Sequence, residues 1–344
     1  MPAMPKSKIC IKEAEGSVAL TTFDFPDPGP GQVLVRTTLT TICGSDIHIV
    51  DEIPAVPAGT PMGHEAVGVV EAVGEGVQRF RPGDRVVCSC LLSCGSCARC
   101  EEGEHSICSS FGAPMNLLFG AQSEFFLVPS ADHSMTRIPD GVSDKQAIFA
   151  ADILSTGLGA LERAHVRRGS SVAIFAQGPV GLCATLGAKF LGADPIIVVE
   201  GLPERAAMAR RFGADVVTAP DQAVDEILRL TNGVDVAVEA LGKQQTFESC
   251  CRVVRLGGTV SSVGVYGGLE FLRLPTDGSF IHRQIVTTFC PAGSSRLDYL
   301  VGLLREGKID PTPMFTHTRS LDEIVSVYDM FRNRRDGVIK IAIA

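Results

Sequence analysis

Between residues 155 and 290 the chain repeats one alternation that few architectures can accommodate. Ser171-Val172-Ala173-Ile174-Phe175 reads as a short buried strand, and Pro179 to Leu191 as a helix opened by proline. Ile196-Ile197-Val198-Val199-Glu200 reads as the next strand, and Pro203-Glu204-Arg205 opens a helix ending near Phe212-Gly213. Val216-Val217 leads to a helix signalled by Asp221. Val234 to Val238 and Thr259 to Val263 are further strands. Runs that are apolar throughout need cover on both faces, and parallel neighbours need helical crossovers. The alternation predicts an α/β fold with a doubly wound parallel sheet.

The turn between the first strand and its helix reads Phe175-Ala176-Gln177-Gly178-Pro179-Val180-Gly181. It matches G-x-G-x-x-G, with Ala176 in the place of the first glycine. Gly178 would let a pyrophosphate approach the backbone, and Gly181 would let helix and strand pack closely. The helix N-terminus offers free N–H donors and a positive dipole end. Pro179 gives up only an N–H that has no helical partner there. Glu200 ends the next strand 22 positions after Gly178, near the ~20-residue offset at which an acid takes the ribose hydroxyl. Its carboxylate repels a 2′-phosphate, which favours NAD over NADP. Arg205 is the counter-argument, and Leu202 supplies no compensating charge. Residues 155–290 are therefore expected to form a Rossmann dinucleotide-binding domain.

The flanks differ. Residues 1 to about 150 are rich in Gly and Pro, with β-like runs at Val33–Thr38, Ala66–Val70 and Arg85–Val87. Turn signals such as Pro28-Gly29-Pro30-Gly31 and Pro82-Gly83-Asp84 bound them, which predicts a compact, mostly β domain. The tail has predicted helices at 296–306 and 321–333, then a strand at Val338–Ala342 that could rejoin the first domain. A chain of 344 residues suggests two domains. The net charge of −8 argues against nucleic acid, which needs a basic face. No uncharged apolar run reaches the ~18 residues of a membrane span. Met1 to Lys8 lacks the apolar region of a secretory signal. These features point to a cytoplasmic protein with reduced thiols, so its 12 cysteines need another explanation than disulfides.

Four of them form a pattern, Cys94, Cys97, Cys100 and Cys108, spaced C-x2-C-x2-C-x7-C. Four thiolates on a short loop suit tetrahedral Zn²⁺ and leave no open position, which makes a structural site. An iron–sulfur run more often closes as C-x2-C-x2-C-x3-C-P. A cluster or a redox switch is the other reading of the loop. His105 inside it is an exposed loop residue on this reading. Cys10, Cys183, Cys250, Cys251 and Cys290 show no ligand spacing and read as small core residues. Cys43-Gly44-Ser45-Asp46-Ile47-His48 follows a strand and Gly63-His64-Glu65 precedes one; taken singly, each reads as structural.

Together these segments carry a resemblance. The sequence resembles, nearly end to end, the zinc-dependent alcohol dehydrogenases of the medium-chain dehydrogenase/reductase superfamily. The marks are Cys43-Gly44-Ser45-Asp46, Gly63-His64-Glu65-Ala66-Val67-Gly68-Val69-Val70, Pro82-Gly83-Asp84-Arg85-Val86, the four-cysteine lobe, Phe175–Gly181 and Gly257-Gly258-Thr259. The resemblance implies a GroES-like catalytic domain over 1–154 and 291–344, holding a zinc lobe. It implies two Zn²⁺ per chain, one of them catalytic on Cys43 and His64. Many members have Cys as third ligand; here the matching stretch places Asp152, as in a branch similar to bacterial secondary-alcohol dehydrogenases. A carboxylate is a reasonable zinc ligand and a harder one than thiolate. The other reading of Asp152 is a helix N-cap. Glu65 would act beside the ligands or as a transient ligand during exchange.

The resemblance also implies a proton path. Ser45 would take the alcohol proton and His48 would pass it to solvent, a task that suits the unperturbed pKa of histidine. In extended chain Ser45 points to the same side as Cys43. Gly264, Val265, the segment Phe289–Gly293 and Thr156 are expected near the nicotinamide, since ligands bind outside the carboxyl ends of such sheets. Cys90, Leu91, Leu92, Phe111, Leu118 and Ile153 are pocket candidates whose apolar character favours an alkyl or aryl substrate. The expected activity is hydride transfer between a secondary alcohol or its ketone and NAD, in a homotetramer. Polyol, vicinal-diol (2,3-butanediol or acetoin) and threonine dehydrogenases are alternatives in the same superfamily. A zinc-bearing binding or redox-sensing protein is the alternative outside enzymes.

Overall fold

The computed structural model describes residues 6–51, 56–112, 116–267, 269–276 and 281–344. Most of the segment Met1–Lys8 thus lies outside the described residues. The chain divides into two compact units, Met1–Ser155 with Cys290–Ala344, and Thr156–Phe289.

In the first unit, β1 (Ser7–Ala14) and β2 (Ser17–Phe23) form a hairpin. A larger sheet is built on β3 (Val33–Thr41), β4 (Ala66–Val73), β5 (Arg85–Cys88), β6 (Phe125–Val128) and β7 (Met135–Arg137). β3, β4, β5 and β7 are successive antiparallel neighbours, and β6 also pairs with β3. Alternating side chains from these strands, among them Val33, Val35, Val70, Val86, Phe126 and Met135, fill the core.

The second unit carries β8 (Val172–Phe175), β9 (Ile196–Val199), β10 (Val216–Thr218), β11 (Val234–Glu239), β12 (Val254–Ser262) and β13 (Gln284–Thr287). They form a parallel sheet of order β10-β9-β8-β11-β12-β13. β8 and β9 are buried at every position, as strands covered on both faces must be. Helices Pro179–Leu191, Pro203–Arg211, Ala223–Thr231 and Gln244–Val253 provide the crossovers. The α/β architecture with a Rossmann-type sheet and a mostly β partner is the one read from sequence.

The tail returns to the first unit. Helix Ser294–Arg305 is followed by β14 (Phe315–Arg319), helix Ile324–Arg332 and β15 (Lys340–Ile343). β15 runs parallel to β14 and antiparallel to β3. Ile341, Ile343, Tyr328 and Val327 share a core with Ile42, Ile49 and Val50. No helix among the described residues is long and apolar enough to cross a membrane.

Candidate metal and cofactor sites

The segment after β3 supplies the first cluster. Sequence reasoning treated Cys43–His48 as extended chain; instead Gly44–Asp51 is a helix. Asp46 lies in its first turn and accepts a hydrogen bond from Cys43 N at 2.9 Å, so the helix start and the cysteine fix each other. The side-chain direction of Ser45 therefore comes from a helical turn, not from a pleat. Its Oγ nevertheless lies 3.1 Å from His64 Nε2.

Cys43, His64 and Asp152 converge, with one ligand atom of each within 4.8 Å of the others. Asp152 Oδ2 is 3.6 Å from Cys43 Sγ and 3.3 Å from His64 Nε2. Bonds of about 2.0–2.3 Å to a central ion give edges of about this length in a tetrahedron. Asp152 immediately precedes helix Ile153–Arg163. His64 Nδ1 lies 3.1 Å from Asp46 Oδ1, the carboxylate–histidine pairing that leaves Nε2 for a metal. Burial opposes protonation of His64, yet Asp46 and Asp152 hold its pKa well above the ordinary value. Burial, Glu65 and Asp152 push the Cys43 thiol up. An imidazole, a thiol and several carboxylates thus share a space that calls for positive charge, and a divalent cation fits.

Behind them, Glu65 is buried and salt-bridged to Lys340 of β15, and it accepts a hydrogen bond from Thr41 Oγ1. Lys340 Nζ also donates to Ile42 O at 3.1 Å. Burial works against the Lys340 charge, but Glu65, Cys43 and Asp152 outweigh it and raise its pKa. Gln122 donates to Asp46 Oδ2 at 3.2 Å and accepts from Tyr328 OH at 2.8 Å. Asp46, Gln122, Tyr328 and Lys340 were missed as site residues. Asp46 had a local signal, its place beside Cys43; the others come from distant segments and had none. His48 is half-buried on helix Gly44–Asp51.

The second cluster is the four-cysteine loop, whose thiols all lie within 4.8 Å of one another. Cys94 and Cys100 Sγ are 4.0 Å apart, and Cys97 and Cys108 Sγ are 3.9 Å apart. A tetrahedron with bonds of about 2.3 Å has edges near this value. Backbone N–H groups point at the sulfurs, Cys94 N at Cys108 and Cys97 N at Cys94, each 3.3 Å. The Ser109 hydroxyl and the N–H groups of Cys100 and Ser109 lower the Cys97 pKa to about 5. These donors favour thiolates, the form a metal binds. His105 is half-buried rather than exposed, and burial lowers its pKa.

The pocket candidates divide. Leu92, Leu118 and Phe111 pack in the main core of the first unit. Cys90 and Leu91 instead join Cys290 and Ala292 in a separate small cluster, next to Asp152.

In the second unit, Gly178 caps helix Pro179–Leu191, with Pro179 at its first position. A Cβ at Gly181 would overlap the Ala176 carbonyl oxygen, so only glycine allows this approach. Ala176 itself takes φ +73°, a left-handed conformation that glycine adopts more cheaply. The Arg205 guanidinium lies within 3.8 Å of where a Cβ would stand on Gly178. Glu200 is half-buried at the end of β9 and accepts from Gln177 N, Gly201 N and Leu202 N at 2.9, 2.8 and 2.9 Å. A carboxylate offers about four acceptor positions, so one remains for a ribose hydroxyl. Gly264 and Val265 follow β12, with Val265 exposed, and Thr156 is buried on helix Ile153–Arg163.

Comparison with known proteins identifies the family. Residues 29–140 match the family model for the alcohol dehydrogenase GroES-like domain, and residues 179–305 match that for zinc-binding dehydrogenase. An alcohol dehydrogenase of Cupriavidus necator is 40% identical, covering 100% of this chain and 99% of its own. The NADP-dependent isopropanol dehydrogenase of Thermoanaerobacter brockii is 33% identical over 94% of this chain and 96% of its own. The solved structure of zinc dependent alcohol dehydrogenase 2 from Streptococcus pneumonia superposes with a TM-score of 0.91, at 34% identity and 98% coverage of both chains. Fold, ligand clusters and relatives agree: the chain belongs to the zinc-dependent alcohol dehydrogenases of the medium-chain dehydrogenase/reductase superfamily, and it is an oxidoreductase.

Proposed function

We propose that the protein interconverts a secondary alcohol and its ketone with NAD as hydride carrier, using a catalytic Zn²⁺ on Cys43, His64 and Asp152. The observation that carries this reading is the convergence of those three side chains with Ser45 Oγ 3.1 Å from His64 Nε2. Cys43, His64 and Asp152 would hold the ion, which would supply Lewis-acid polarisation of the substrate oxygen, and a bound nicotinamide would supply the hydride acceptor. Ser45 takes the proton of the alcohol, and half-buried His48 passes it to solvent. Glu65, held by Lys340 and Thr41, stands beside the ligands and would serve as a transient ligand during exchange. Cys94, Cys97, Cys100 and Cys108 hold a second, structural zinc.

Gly178, Pro179, Val180 and Gly181 hold the pyrophosphate, with Arg205 beside them. Glu200 takes the ribose hydroxyl, and its charge supports NAD over NADP. Gly264, Val265 and Thr156 line the nicotinamide half. The catalytic domain comprises 1–154 and 291–344, and the dinucleotide domain 155–290. The isopropanol dehydrogenase relative supports a small secondary alcohol. Exposed Leu256, Phe271 and Ile281 in the second unit support self-association, for which a homotetramer is the proposed form, and the protein is proposed to be cytoplasmic.

Asp152→Ala tests the reading. The variant is expected to retain the structural zinc, lose the catalytic one, and lose turnover. Unchanged zinc content and activity would remove Asp152 from the ligand set. A screen of small secondary alcohols, diols and polyols with NAD and NADP then separates the proposed substrate class from its neighbours.

A further inference from the structure

Two thiols with no part in the proposed reaction lie against Asp152. Cys90 follows β5 and Cys290 follows β13. They are 2% and 5% exposed and pack with Leu91 and Ala292. Cys90 N donates to Ala151 O at 2.9 Å, which ties the Cys90 backbone to the residue before Asp152. Cys290 Sγ lies 3.6 Å from Asp152 O. The segment around Cys290 is pinned by Ser106 Oγ on Cys290 O at 2.8 Å and by Ser155 Oγ on Pro291 O at 2.6 Å. One carboxylate oxygen of Asp152 and the two sulfurs all lie within 4.8 Å of one another.

We propose that Cys90, Cys290 and Asp152 form a second, inhibitory metal site for a soft divalent cation, sharing Asp152 with the Cys43–His64–Asp152 set. Two bonds of about 2.3 Å from one ion span up to about 4.6 Å between sulfurs, so small side-chain rotations complete the site. Two sulfurs and one oxygen select a thiophilic ion such as Cd²⁺ or excess Zn²⁺ over Mg²⁺ or Ca²⁺, which take oxygen ligands. The apolar walls of Leu91 and Ala292 also exclude an ion that keeps its water. A carboxylate has two oxygens and can serve two cations. Binding releases the two thiol protons to solvent. An ion here draws on Asp152 and stands beside the reacting centre, so turnover stops while it is bound.

The inference rests on the proposed function only for the zinc that Asp152 also holds; the thiol pair stands without it. The zinc content of the untreated, zinc-loaded protein is therefore read first. One zinc per chain in place of two overturns the Cys43–His64–Asp152 assignment alone. The protein is then titrated with Cd²⁺ without oxygen, and retained metals, ultraviolet thiolate-to-cadmium absorption and turnover are measured. The expected result is one cadmium per chain beyond undisplaced zinc, a rise in absorption, and a loss of turnover of about tenfold or more reversed by chelating the cadmium. Cys90→Ser and Cys290→Ser should each abolish the additional cadmium and its absorption. Cys90→Ala and Cys290→Ala, checked by circular dichroism, give the same reading if a serine variant fails to fold. Cadmium that only exchanges for zinc one for one, or equal uptake by the folded cysteine variants, overturns the proposal.

Discussion

Lys340 and Glu65 form a wholly buried ion pair beside the candidate zinc ligands. Taking two charges from water is expensive, and removing one partner leaves the other uncompensated. Lys340→Met is expected to lower stability by about 3–5 kcal/mol, with Lys340→Arg retaining more of it; equal urea midpoints for wild type and Lys340→Met would argue that the pair is replaceable. Glu200 gives a second prediction at this scale. Glu200→Ala should shift the ratio of NAD to NADP turnover toward NADP by about tenfold or more, the effect of ~1.4 kcal/mol. An unchanged ratio would remove Glu200 from the ribose contact. The four lobe cysteines stand out by their local spacing, whereas Cys43 and His64, each structural when taken singly, stand out only through the family resemblance. Lys340 was not, since it stands 275 positions from Glu65 and no pattern in sequence links them. Ser45 shows a different limit: an extended-chain argument places it on the side of Cys43, whereas helix Gly44–Asp51 sets its direction and brings its Oγ to 3.1 Å from His64 Nε2.

Most elements in residues 155–290 were readable because buried parallel strands are short, apolar runs punctuated by Gly and Pro. Helix Pro179–Leu191 has the predicted bounds. The helix signalled by Asp221 begins only at Ala223, because Gln222 N already bonds Ala219 O in a preceding turn. The start of two central strands is joined by Asp235, whose Oδ2 accepts from Ser171 N and Oγ at 2.8 and 2.9 Å. Arg255 Nε donates to Oδ1 at 2.7 Å. Burial pushes the Asp235 pKa up, but Ser171 and Arg255 overcome it and hold the group below its usual value. A lowered folded pKa stabilises above the unfolded value of about 3.9 and loses that contribution as pH falls through the folded value. Asp235→Asn should cost about 1–2 kcal/mol at neutral pH. The gap between the two urea midpoints should narrow below about pH 4; a gap that persists undiminished at lower pH would assign the cost to packing instead.

Across the whole molecule, each of the two units has its own core, and the first is assembled from both ends of the chain. The tail strand was foreseeable as a strand, but its partner was not: pairing of β15 with β3 depends on register and burial rather than local pattern. The candidate metal ligands all lie in the first unit and the Gly178–Glu200 loop in the second. If the two ligand clusters hold zinc as proposed, stripping it with a chelator should therefore lower the unfolding temperature of the first unit. It should leave the second responsive to NADH, by about 2.7 kcal/mol at a hundredfold excess over Kd. Calorimetry with and without chelator reads both effects. Loss of the NADH response on chelation would contradict this separation.

The Lys340–Glu65 pair also bears on how the protein is made. Translation delivers Glu65 long before the lysine that neutralises it, because 275 residues separate them. Until Lys340 emerges, Glu65 lacks the ion-pair partner with which it is buried in the folded chain. On the proposed ligand set, the pocket behind Cys43 and His64 closes only once β15 has paired with β3 and brought Lys340 to Glu65. A ribosome-bound chain stalled short of β15 should accordingly exchange its metal more freely than the released protein.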